Sequence, residues 1–110
     1  MNSQHQQLAA GQWKEFSFLE QMANIGSEVE RTIKWKEKNN PDYSRRAFDR
    51  ALELLDLTIA DEKNRKKLRE LLRTREALAD YFAFGNSYGS TDESWQKYFL
   101  AFGIAVRAGA

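Results

Sequence analysis

The 110-residue chain has no cysteine, one proline and one histidine. Without cysteine there is no disulfide framework, no thiolate metal site and no thiol nucleophile. The one histidine, His5, lies in a polar opening stretch. That position rules out the Glu-x-x-His pairs of di-iron bundles and histidine-built zinc sites, and it removes the commonest general base. No apolar run approaches the roughly 20 residues that span a bilayer. The segment from Met1 to Gly11 lacks the basic start and apolar core of a secretory signal. The expectation is a non-enzymatic, cytoplasmic protein with no cofactor, no metal and no membrane partner. Residues 1–12 read as a disordered polar lead-in and residues 13–110 as one helical domain.

What the chain does have is helical periodicity. Hydrophobic residues make up 42% and charged residues 30% of it, a balance that supports a folded core. Four amphipathic runs predict an all-α, antiparallel up-down four-helix bundle with helices at about 17–38, 41–60, 62–84 and 91–107. Ser17 and Glu20 form a capping-box pattern, and Met22, Ile25, Gly26, Val29 and Ile33 fall on one stripe. Asn40 is placed to cap the second helix, with Pro41 in its first turn, where a missing N–H costs nothing. The second stripe is Ala47, Phe48, Ala51, Leu54, Leu55 and Ile59. Asp61 is the expected cap of a third helix with Leu68, Leu71, Leu72, Leu78 and Phe82 inward and Gly85 as terminator. Ser90 to Glu93 forms a second capping pattern, ahead of a helix whose core face is Trp95, Tyr98, Phe99 and Phe102. Short connections make successive helices antiparallel neighbours.

Net charge is only +1, yet residues 31–75 hold 14 of the 17 Lys and Arg against 8 of the 16 acids. In the third helix Lys66, Arg69 and Arg73 form an outward row flanked by Lys63 and Lys67. Such a row either neutralises phosphates of a nucleic acid or is a solvated face. Arg75 falls on the apolar stripe of the same helix. There it calls for a buried ion pair, with Glu15 as a candidate partner, or snorkels to a bundle edge. With the loop from Gly85 to Ser90 it makes a candidate anion or small-molecule site, although that loop lacks the lysine and spacing of a P-loop.

Two features point to a partner. Trp35 lies off the core stripe among Arg31, Lys34 and Lys38, where it covers the turn at Pro41 and Tyr43, anchors a protein partner, or stacks on a nucleic-acid base beside those cations. Leu100 and Ile104 lie opposite the aromatic face of the last helix. A helix that is apolar on two sides is either central or covered by another molecule. A self-associating interaction module with Leu100, Ile104 and Trp35 at its interface is the leading expectation. A nucleic-acid-binding bundle is the alternative.

The run from Ala23 to Arg31, with Trp35-Lys36 and the stretch from Ala51 to Ile59, resembles a group of short uncharacterised prokaryotic all-helical proteins. The likeness covers most of the chain from Trp13 onward and implies no catalytic residues. At the level of fold, four-helix proteins of the ribosomal-RNA intervening-sequence type are similar in size, and some related accessory bundles form rings and bind RNA. No motif here matches theirs.

Overall fold

The computed structural model describes residues 11–109. Four long helices carry the fold: α1 (Phe18–Glu37), α2 (Pro41–Ala60), α3 (Leu68–Ala83) and α4 (Asp92–Arg107). A 3-10 helix, Glu62–Lys67, leads into α3. There is no strand among the described residues, and none of their helices is long and apolar enough to cross a membrane. The expected disordered lead-in lies outside the described residues from 1 to 10. Gly11 and Gln12 belong to a helical turn that ends at Trp13, and the Trp13 ring is buried.

Most of the helix starts are set by the residues the sequence marked. Ser17 accepts from the Glu20 N–H at 3.1 Å while the Glu20 carboxylate accepts from the Ser17 N–H at 2.9 Å, closing the capping box. The Asn40 side chain accepts from the Tyr43 N–H, with Pro41 at the first position of α2. The cap of α4 falls one residue later than expected: Thr91, not Ser90, accepts from the Ser94 N–H, and the Ser94 hydroxyl, not the Glu93 carboxylate, accepts from the Thr91 N–H. Asn39 takes a left-handed φ of 57° where α1 gives way to α2, a conformation asparagine tolerates better than most residues.

The third helix departs from expectation. It is a 3-10 segment followed by an α-helix, because Asn64 is drawn inward. Its side-chain amide donates to Gln21 Oε1 at 2.8 Å and to the Thr58 carbonyl at 3.0 Å. The end of α3 differs too. The left-handed residues after it are Asn86 (φ 54°) and Gly89 (φ 69°), not Gly85.

Helix α1 lies between α2 and α4 and packs along both, while α3 packs chiefly on α2. Met22, Ile25, Val29 and Ile33 of α1 are almost completely buried against Phe48, Ala51 and Leu55 of α2, Leu71 and Leu78 of α3, and Trp95 and Phe99 of α4. Each such side chain contributes about 1.5–3 kcal/mol by leaving water. Because α3 turns Leu71, Thr74 and Leu78 inward, Leu68 and Leu72 are left exposed instead of joining the core. Close approach of α1 and α4 depends on Gly26. A Cβ there would stand 2.7 Å from the Phe99 Cβ.

Candidate functional site

The candidate site is built from α4, which packs along α1 and has no other helix packed closely along it among the described residues. Trp95 and Phe99 turn to the core, and Phe102 meets Phe18 edge-on at 6.0 Å. Leu100 and Ile104 are 55% and 52% exposed. A shallow groove runs beside them between α1 and α4, lined in part by Ala23, Gly26, Ser27, Glu30, Gln96, Leu100, Gly103 and Arg107. Gln96 donates to Glu30 at 3.2 Å across it. Helix α4 is therefore apolar on two sides while lying at the edge, so the core does not account for its outer residues.

Trp35 is not brought to this surface. It sits at the far end of α1, half-buried, edge-on to Tyr43 at 4.8 Å with the Lys38 ammonium 5.1 Å above its ring. Its backbone carbonyl accepts from the Asn40 N–H at 2.9 Å. These contacts make it a cover for the turn into α2.

The basic row is divided by the 3-10 segment. Lys63 points back, donating to the Asp61 carboxylate and, at 3.1 Å, to the Lys14 carbonyl. The Lys67 ammonium lies 5.7 Å over the Phe18 ring. Lys66, Arg69 and Arg73 are exposed and form no ion pair among the described residues. Arg69 and Arg73 border an open groove with Leu68, Leu72 and Tyr88, so this face mixes charge with apolar surface.

Arg75 is at the bundle edge and not in the core. Its guanidinium is more than a third exposed and pairs with Asp56 of α2 at 2.6 Å. Glu15 lies in the turn before α1, exposed, and is not its partner. The loop beyond α3 already has its anion. Asp80 is buried, and its carboxylate accepts from the Ser87 N–H at 2.9 Å, the Ser87 hydroxyl at 3.0 Å and the Tyr88 N–H at 3.0 Å. The Tyr88 bond above all holds the Asp80 carboxyl below its ordinary value; burial opposes this, and the Ser87 bonds reinforce it. The donors that an external anion would need are thus taken from within.

Two further polar clusters were not apparent from sequence. In the first, Gln21 is completely buried and donates to Asp61 and to the Trp13 carbonyl, both at 3.0 Å. The Trp13 indole donates to Thr58 at 2.9 Å. Burial would raise the Asp61 carboxyl, but the bonds from Lys63 and Gln21 outweigh it and hold it low. In the second, Lys36 and Tyr81 both bond Asp92 at 2.7 Å, joining α1, α3 and the start of α4. Among the described residues one buried side-chain polar atom has no partner, Trp95 Nε1. No group of three or more His, Cys, Asp or Glu among those residues is arranged to hold a metal ion.

Comparison with protein-family models, with curated proteins and with solved structures finds no match to the chain.

Proposed function

We propose that the chain is a non-enzymatic, self-associating helical bundle that serves as an interaction module, and that the outer face of α4 is its contact surface. One observation carries the reading: the edge helix α4 buries Trp95 and Phe99 yet leaves Leu100 and Ile104 more than half exposed, one turn apart. Contiguous apolar surface on the outer face of an edge helix supports a contact surface there. The reading includes an up-down-up-down antiparallel arrangement of the four helices. The contacts of Gln21 with Asp61, of Lys36 with Asp92, and of Tyr81 with both Lys36 and Asp92 join helix ends and support that arrangement.

The test is oligomeric state with surface variants. Leu100→Asp and Ile104→Asp each give a folded monomer with unchanged far-ultraviolet circular dichroism. Leu72→Asp, on the exposed face of α3, leaves association intact. Association that survives both α4 variants overturns the assignment of the surface.

The α3 face supports a second reading, nucleic-acid binding through Lys66, Arg69 and Arg73, because these three cations lack carboxylate partners among the described residues. It requires affinity that falls steeply with salt, by a log–log slope of about 0.9 per duplex phosphate contacted. Arg69→Glu/Arg73→Glu abolishes such binding. No binding of single- or double-stranded nucleic acid at low salt removes this reading.

A further inference from the structure

We infer that the occupant of the α4 face is the α4 helix of a second copy, running antiparallel across a twofold axis at Leu100, with Glu93 of each copy paired to Arg107 of the other. This rests on the self-association proposed above and specifies its geometry.

The helix repeat sets which residues share the face of Leu100. At 100° per residue, Glu93 and Arg107 each lie seven residues from Leu100 and so within about 20° of it around the helix. Ile104 lies about 40° away, on the same stripe. Both charged residues are exposed, and neither forms an ion pair among the described residues. Lys97, also exposed and without an ion pair among the described residues, lies about 60° from Leu100 on the Ile104 side, so the stripe carries Glu93 at its start, Lys97 ahead of Leu100 and Ile104, and Arg107 at its end.

A twofold contact sets one surface against itself. With the axis perpendicular to α4 at Leu100, a residue seven positions before it meets the residue seven positions after it in the other copy. Glu93 then faces Arg107 twice, and the two helix dipoles oppose one another. A parallel pairing would place Glu93 against Glu93 and Arg107 against Arg107, two like-charge contacts, which are destabilising. The charge pattern thus fits a second copy in one direction and penalises the other.

Charge reversal and distance measurement test this together. Glu93→Arg alone and Arg107→Glu alone each weaken the dimer at least tenfold in sedimentation equilibrium, and the double exchange restores it to within a few-fold. Because the chain lacks cysteine, Ala101→Cys and Ala108→Cys accept one spin label each. Antiparallel pairing at 1.5 Å rise per residue makes the 108–108 separation along the axis about 20 Å greater than that at 101. Equal separations at the two positions, or a double exchange no better than the single reversals, overturn the antiparallel pairing while leaving self-association standing. A strictly monomeric wild-type chain overturns both.

Discussion

Gly26 and Phe99 bring α1 and α4 together so closely that a single added methyl group has no room. The position built for a Cβ on Gly26 is 2.7 Å from the Phe99 Cβ and 3.1 Å from its Cγ. Since a Cβ is fixed by the backbone, no rotamer change relieves the contact. Gly26→Ala gains about 1 kcal/mol of helix propensity, but overpacking costs about 1–3 kcal/mol and lies here toward the upper end. The net expectation is a loss of about 1–2 kcal/mol in urea unfolding. A stabilised Gly26→Ala variant would show that the helices are held further apart.

Asp80 organises the loop from Phe84 to Ser90 by accepting three bonds from Ser87 and Tyr88. Asp80→Asn loses the charge and part of the acceptor capacity. It lowers the melting temperature by several degrees at neutral pH and exposes the loop to limited proteolysis. Because the folded carboxyl is held below its ordinary value, its stabilisation is present above about pH 3.9. It is lost as pH falls through the lower folded value. The gap between wild type and Asp80→Asn therefore closes in strong acid, and a gap independent of pH would exclude this role.

Gln21 ties the Trp13 segment to the junction of α2 and the 3-10 helix. Gln21→Leu keeps similar bulk but leaves the Asn64 amide without one acceptor, and Asp61 and the Trp13 carbonyl each without one donor. Unsatisfied buried groups cost about 1–3 kcal/mol each; Asn64 and Asp61 keep other partners, so the loss lies near the low end of the sum over the three groups, about 3–4 kcal/mol. The Trp13 ring is freed with it, seen as a red shift of tryptophan emission in the still-folded protein. A variant as stable as wild type would mean that the network is replaceable by packing alone.

Lys36, Tyr81 and Asp92 set the response to alkali. Burial disfavours the Lys36 ammonium, but its bonds to Asp92 and Tyr81 outweigh that and raise its value. Its contribution is complete below the unfolded value near 10.5 and is lost as pH rises through the folded one. Tyr81 is also raised, by burial first and by Asp92 second, so its neutral form is favoured by folding and alkali opposes it. Asp92→Ala flattens the fall of melting temperature above pH 10. An unchanged alkaline limb in that variant would place the cause elsewhere.

The core stripes of α1 and α2 and the caps Ser17 and Asn40 could be read from sequence because they rest on periodicity and on local bonds three residues apart. The cap of α4 is Thr91 with Ser94, one residue beyond the Ser90 and Glu93 that the capping pattern marked. Leu68 and Leu72 could not be placed, since the angle at which α3 meets α2 decides which leucines are covered. For Arg75 the edge position held and only the partner was missed, Asp56 in place of Glu15: a wheel gives direction around one helix, but not which neighbour that direction meets. Asp80, Gln21 and Lys36 were silent because their partners lie elsewhere in the fold or on loop amides that carry no side-chain signal. Leu100 and Ile104 stood out because an apolar pair opposite an aromatic face is visible in one helix alone, and their exposure matches what the wheel required.

The most direct test of the account is the mass of the unmodified chain by light scattering as concentration is raised. Self-association through α4 gives a reversible approach to twice the chain mass of 12.8 kDa, abolished by Leu100→Asp. A mass of one chain at every concentration would contradict it.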